Sequence, residues 1–384
     1  MIRRSFMLED SFDGLKKRVI DTKLCFFCGQ CCAVCSTGCI SFKDNGPELD
    51  GECVSCGQCL EACPGLGSPL KKLDIQVFGR ETTPEEEAKG LGIYLSDRNL
   101  VSADKEIQGK GYTGGKLTAT LAYLLEKKEI DAAIVSQWGA ASPYAWVSWP
   151  VIATTREEII KGAGSKYVFS PNLMALSEIA DREDIKSVAI VGLGCHMQGL
   201  RKLELLGQSY AALAKKVKYS FGLYCGSPMR SKEDFMTYVA NMMGVSVHDI
   251  ATVDFKRVSK EFDIAFDIVL KNGENKVKQM NIMQLFEVIG PYQRWHRCKF
   301  CTDYAAEYAD ISFGGSHITC RTPKGEDLID QVVADGWLVP SEPNGLMDQM
   351  AISIDQTMAK TKKVANVQRI IKHKSDGKPV PSYD

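Results

Sequence analysis

Residues 25–35 read CFFCGQCCAVC, and residues 53–64 read CVSCGQCLEACP. Both stretches carry the spacing C-x2-C-x2-C-x3-C, first as Cys25, Cys28, Cys31 and Cys35, then as Cys53, Cys56, Cys59 and Cys63. Three closely spaced thiolates on one tight loop can reach three irons of one cubane. The fourth cysteine starts a short helical turn and points away, toward the neighbouring cluster. The expected sets are therefore Cys25, Cys28 and Cys31 with Cys63, and Cys53, Cys56 and Cys59 with Cys35. Zinc ribbons space their C-x2-C pairs a dozen or more residues apart, which this run does not do. Gly29 and Gly57 let the backbone wrap closely and aim N–H groups at sulfur.

The run resembles that of two-cluster bacterial ferredoxins, with Ser36 where a proline usually follows the fourth cysteine. Cys32 and Cys39 are surplus and read as small buried residues. A disulfide scaffold is disfavoured. The fifteen cysteines are an odd number, and the rest of the 384 residues can build a core without staples. Metal-bound thiolates in a reducing compartment are expected instead.

The rest of the composition is ordinary. Hydrophobic residues make up 45% and charged residues 25%, the balance of a globular protein with two or three domains. A net charge of −1 leaves no footprint for nucleic acid. No apolar run suffices to span a bilayer. The opening MIRRSFMLEDSFDGLKKR is basic but lacks an apolar core, so no secretory signal is expected. The expected location is the cytoplasm, with peripheral attachment to a membrane complex as a variant.

Downstream of the cysteines the texture becomes α/β. PGLGSPLKK reads as a linker or crossing segment, giving an organisation of 1–22 extension, 23–68 cluster module, 69–100 linker, 101–324 main domain and 325–384 helical tail. A glycine-rich loop at 109–115 precedes a helix over 116–128. Apolar runs at 132–135, 151–154, 187–193 and 217–224 read as strands, and 173–180 and 197–206 as helices. The alternating segments 253–257, 262–273 and 276–282 read as antiparallel strands, with a turn at Asn272–Gly273. The end of the chain is expected to fray.

Five cysteines remain. Cys195 and Cys225 stand near strand ends, Cys298 and Cys301 form a C-x2-C, and Cys320 stands apart. By spacing alone, the first four suit an iron–sulfur centre and a zinc site equally well, and buried single thiols also fit. Cys320 reads as structural. Gly192-Leu193-Gly194 follows a strand, but no third glycine falls in register, so a Rossmann site is rejected there.

Longer segments carry a wider resemblance. GYTGGKLTATLAYLLE (111–126), GAGSKYVFSPN (162–172), GCHMQGLRKL (194–203), GLYCGS (222–227) and CKFCTDYAAEYADISFG (298–314) together resemble the beta subunits of coenzyme F420-reducing hydrogenase, F420-dependent formate dehydrogenase and F420H2 dehydrogenase. The resemblance implies an α+β or α/β fold, in which a small N-terminal two-cluster ferredoxin-like module precedes a mixed α/β flavin-binding domain. It implies FAD, a third [4Fe-4S] cluster on Cys195, Cys225, Cys298 and Cys301, and coenzyme F420 as substrate. The residues expected beside the flavin are Gly111, Thr113, Gly114, Gly115, Thr118, Ser165, Lys166, Tyr167, Ser170, Asn172 and His196.

Hydride would pass between F420 and FAD, and single electrons between FAD and the clusters, with no acid–base residue required. The implied partner is a redox subunit of a formate dehydrogenase, a hydrogenase, a heterodisulfide reductase or a membrane F420H2 dehydrogenase complex. A reductase or electron feeder of the same family using another donor or acceptor, such as ferredoxin, is the alternative. Only SHITC separates Gly315 from Arg321–Thr322, where relatives carry a longer loop, which places the hydride donor in question. Arg201 and Lys202 are candidates for the anionic tail of F420. Trp295, His296 and Arg297 are candidates for covering a cluster.

Overall fold

The computed structural model describes residues 10–43, 46–111, 113–140, 146–227, 232–257, 264–280, 296–341 and 350–383. Each N-terminal cysteine run forms a loop that closes on one helical turn, Gln30–Ala33 or Gln58–Glu61. Between the two runs lies the hairpin of β1 (Ile40–Lys43) and β2 (Gly46–Leu49).

β3 (Ser96–Arg98) and β4 (Leu100–Ser102) open the larger part, followed by β5 (Ala132–Trp138), β6 (Ser148–Ala153), β7 (Val188–Leu193) and β8 (Val217–Leu223). β9 (Ile250–Arg257), β10 (Ile264–Leu270) and β11 (Asn275–Met280) form a separate antiparallel meander. β12 (Ile311–Phe313), β13 (Ile318–Cys320) and β14 (Leu338–Pro340) come last. The main sheet runs β3-β13-β12-β8-β7-β5-β6. Its four central strands are parallel, and both flanks are antiparallel. β7 is apolar and buried along nearly its whole length, as a central parallel strand must be.

The helices that matter to the site are α1 (Leu70–Phe78), α2 (Lys116–Glu126), α3 (Gly194–Leu206), α4 (Pro323–Ala334) and α5 (Ala351–Ser375). α2 starts at Gly115, whose φ is +68°. A Cβ there would stand 2.3 Å from the carbonyl oxygen of Ile107, so only glycine fits. α2 buries Ala119, Leu121, Ala122 and Leu124 against one face of the sheet.

The cysteine loops share a core with the other face. Leu24, Phe26, Leu60 and Ala62 pack with Leu173, Leu200, Leu203 and Phe300 in one cluster. Gly29 touches the SPN segment so closely that a Cβ would lie 2.6 Å from the Pro171 carbonyl oxygen. Phe27 stacks on Phe169 at 5.4 Å between ring centres.

Two expectations need correction. The stretch 69–100, read as a linker or crossing segment, carries α1, a second helix at Pro84–Lys89 and the edge strand β3. Leu73 anchors it, and the Asp74 carboxylate accepts from the Thr82 amide and hydroxyl and from the Tyr308 hydroxyl. The tail does not fray: Ser382 bridges to Gly67, and the Tyr383 hydroxyl donates to the Phe300 carbonyl at 2.9 Å.

Candidate functional site

The N-terminal thiols fall into two groups. Cys25 and Cys28 lie in electrostatic range of Cys63, and Cys31 lies in range of Cys25 and Cys28. Cys59 lies in electrostatic range of Cys53, Cys56, Cys35 and Cys63. Burial pushes the Cys25 and Cys59 thiols up to about 12. Amides donate to the sulfurs from Phe27 to Cys25, from Gly65 to Cys63 and from Phe12 to Cys53, at 3.4, 3.3 and 3.5 Å. Gly65 is one of these donors, whereas Gly29 and Gly57 are not among them. Cys39 Sγ lies 3.4 Å from Cys35 Sγ, and Cys32 adjoins Cys31.

The third set also converges. Cys195 opens α3 behind β7, Cys225 follows β8, and Cys298 and Cys301 lie on the turn before β12. Cys195 lies in electrostatic range of Cys301, Cys28, Cys225 and Cys298, so the third set comes near the first at Cys28. Burial pushes Cys225 up to about 12 and Cys298 to about 11.

Among the described residues, no group of three or more His, Cys, Asp or Glu side chains is spaced for a single metal ion. A cubane is a larger object, and its thiolates must stand apart around it. A second observation fits a polyanionic cluster. Arg297 is completely buried beside Cys25, Cys63 and Cys298, and its Nε and Nη1 have no hydrogen-bond partner among the described residues. Its guanidinium lies 3.9 Å from the Phe26 ring centre, and Nη2 donates to the Pro64 carbonyl and the Tyr383 hydroxyl. His296 stays half-buried near Lys23, and Trp295 lies outside the described residues.

A cavity of about 420 Å³ opens at the carboxyl ends of the parallel strands, the usual place for a ligand in such a sheet. Gly111, Thr113, Gly115, Thr118, Ser165, Lys166, Tyr167, Ser170, Asn172 and His196 all line it. Gly114 does not. It packs on Val101, where a Cβ would come within 2.4 Å of Cγ1, and its carbonyl accepts from the Ser102 amide. Cys225 lies in the same wall.

Several lining residues are already committed. His196 Nδ1 accepts from the Leu193 amide at 2.9 Å, and its Nε2 pairs with the Ser170 carbonyl at 3.0 Å. Burial lowers it to about 4, so the ring is neutral. Asn172 joins Ser136, Ser170 and the Val191 carbonyl. Lys166 Nζ donates to the carbonyls of Gly162, Ala163 and Gly164 at 2.5, 2.7 and 3.1 Å, and burial lowers its pKa to about 7.

Sequence reasoning missed a second lysine and an acidic cluster. Lys116 is buried and donates to the Thr113 carbonyl and hydroxyl and, across the cavity, to the Gly315 carbonyl at 2.9 Å. Asp355 reaches the wall from α5, accepting from the Tyr304 hydroxyl at 2.8 Å. His317 Nε2 lies 3.5 Å from Asp355 and 3.7 Å from Asp97. Burial raises both carboxyls to about 6 and lowers His317 to about 4. The Gly314–His317 turn is tight, closed by the Gly314 amide on the His317 carbonyl.

The two residues considered for the F420 tail do not line the cavity. Arg201 is buried on the Tyr308 carbonyl, Ser220 and Asp310, and Lys202 bonds to the carbonyls of Cys63 and Gly67. Both hold the fold together. Cys320 is buried within the sheet core near Ser96 and Arg98, away from the other thiols.

A cavity beside converging thiols describes a redox subunit, and comparison with known proteins agrees. The family segments described as coenzyme F420 hydrogenase/dehydrogenase, beta subunit N-term and C terminus match residues 100–177 and 185–344. The chain belongs to this family of F420-linked oxidoreductases. It is 31% identical over 334 residues to the coenzyme F420-dependent sulfite reductase of Methanocaldococcus jannaschii, covering 82% of this chain and 47% of that protein. The chain therefore spans about half the length of that relative. It is 29% identical over 299 residues to the coenzyme F420 hydrogenase subunit beta of Methanococcus voltae, covering 76% of this chain and 99% of the subunit. A chain of the F420-reducing [NiFe] hydrogenase complex from Methanosarcina barkeri superimposes with a TM-score of 0.60 at 28% identity, over 75% of this chain and 95% of that one.

Proposed function

We propose that this chain exchanges hydride with coenzyme F420 at a bound FAD, and single electrons with a partner redox subunit through three [4Fe-4S] clusters. The observation that carries the reading is Cys225, which belongs both to the cavity wall and to a converged four-thiol set. When bound, FAD supplies the exchange between a hydride and single electrons, and the clusters take electrons one at a time.

The chain's own residues have definite parts. Gly111 and Gly115 let the backbone come close to a pyrophosphate at the start of α2. Lys116 and Lys166 put two cations into the wall, and a phosphate would restore the charge that burial takes from Lys166. Leu117, Leu121, Val135, Val191 and Phe313 line the cavity with apolar surface that excludes water. With clusters bound, Cys225 and Cys195 would help hold the centre beside the cavity, Cys28 would belong to the next, and the set containing Cys56 would hold the third. Cys56 is exposed, and Val54 beside it is 57% exposed, so this end faces the partner.

The test is anaerobic. Protein loaded with FAD and about twelve irons per chain, four for each of three cubanes, should reduce or oxidise F420 at catalytic rates. Loaded protein that exchanges no electrons with F420 at any redox poise would remove this reading.

A further inference from the structure

The turn that carries Cys298 and Cys301 is held from one side. Asn366 Nδ2 donates to the carbonyls of Cys298 and Cys301 at 2.9 and 2.6 Å. Arg369 Nη1 donates to the Lys299 carbonyl, and the Tyr383 hydroxyl to the Phe300 carbonyl, both at 2.9 Å. Each carbonyl from 298 to 301 thus accepts from α5 or from the tail behind it. One turn earlier on α5, Lys362 Nζ donates to the carbonyls of Cys225 and Asp303 at 2.8 and 2.6 Å. The match to the family's C-terminal segment ends at residue 344, so these donors come from beyond it.

Lys362 differs from the other donors in what it brings. Asn366 and Tyr383 supply only dipoles, and Arg369 brings its charge to the Lys299 carbonyl. Lys362 supplies a cation within electrostatic range of Cys301, Cys225 and Cys298. Asp303 is a carboxylate within electrostatic range of it, and Arg297, another cation of the region, is shared with Cys25 and Cys63. Adding one electron to a cubane makes it one unit more negative, with no bond formed or broken. A cation fixed beside it in a low-dielectric interior favours the added charge.

We propose that Lys362 sets the reduction potential of the centre held by Cys195, Cys225, Cys298 and Cys301, raising it so that this centre accepts electrons from the cavity. The proposal rests on the function above only in taking that centre to be a cubane. Lys362 is a positioning and charge-setting residue, and its test reads a potential.

Redox titration followed by electron paramagnetic resonance measures the three centres of the full chain. The signal that disappears in Cys195→Ala identifies this one. Lys362→Met and Lys362→Gln should weaken its reduction at least tenfold, a drop of about 59 mV for one electron. Lys362→Arg should stay close to wild type, as should Lys360→Met, whose side chain is on the exposed side of the same helix. A fully loaded Lys362→Met at the wild-type potential overturns the proposal. Should Lys362→Met not hold the centre, Lys362→Gln, which keeps an N–H donor, decides by the same criterion. Loss of the centre in both neutral variants but not in Lys362→Arg supports the role of charge. Loss in all three makes the lysine a folding residue and overturns it. Wild-type protein with about eight irons per chain instead of about twelve would remove the centre itself, and the wider reading with it.

Discussion

Asp355 and Asp97 are carboxyls that prefer to be neutral. Their folded values of about 6 stand above the ordinary 3.8, because burial disfavours the charged form. Asp355 is further raised by Asp97 and lowered by Tyr304 and Lys116. The sign follows from linkage. A raised carboxyl contributes stability that is fully present below about pH 4 and is lost as pH rises through about 6. Asp355→Asn keeps the acceptor for Tyr304 and removes the titration. Relative to wild type, the variant should therefore gain roughly 1–3 kcal/mol between pH 4 and pH 8. Denaturant midpoints at the two pH values measure this, and an unchanged difference would show that the carboxyl is not strained. Cys195→Ser makes a second residue-scale prediction: loss of about four irons per chain, with the N-terminal signals retained.

Legibility at this scale divides by sequence distance. The N-terminal thiols could be read because they repeat one fixed local spacing, and the polar residues of GAGSKYVFSPN because they lie in one short segment. Lys116 was hidden as one lysine at a helix start. Asp355, Lys362 and Asn366 lie on a polar helix whose function exists only through partners fifty or more residues away.

At the scale of elements, β7 and α2 follow from their apolar patterns, whereas β12 and β13 are three residues each and carry no period to read. They are held instead by Arg321. This guanidinium is 1% exposed and donates to Ser312 Oγ and to the carbonyls of Leu91, Ile93 and Ala305. The Arg-Thr pair is thus a structural clasp between the β12–β13 hairpin and the segment leading to β3. Thr322 caps α4 through the Gly325 amide. Arg321→Met leaves three buried carbonyls without their donor. It should cost about 3–5 kcal/mol, the range for breaking a buried charged network. Arg321→Lys should recover part of this, since an ammonium can reach some of the carbonyls. A midpoint shift below about 1 kcal/mol would mean that water replaces the guanidinium.

At the scale of the molecule, the question is whether the ferredoxin-like segment is a domain of its own. Its internal duplication reads that way, but a small two-cluster module has little apolar surface to bury by itself. Here its apolar residues complete the core of the larger part. Leu24, Phe26 and Ala62 share a cluster with Leu200, Leu203 and Phe300, and Phe27, Phe42 and Phe169 form a second seam. Polar ties cross the same boundary: Lys202 to the carbonyls of Cys63 and Gly67, and the Leu173 amide to the Cys28 carbonyl. Unfolding one part alone would expose the apolar face of the other and strip donors from cysteine carbonyls. Under anaerobic denaturation, the visible absorbance of the clusters and the far-UV helix signal should therefore be lost at one shared midpoint. Two separated transitions would make the segment an independent domain. In the shared-core case, the sulfurs of Cys28 and Cys195 keep a fixed separation, because the residues that position them belong to one packed unit.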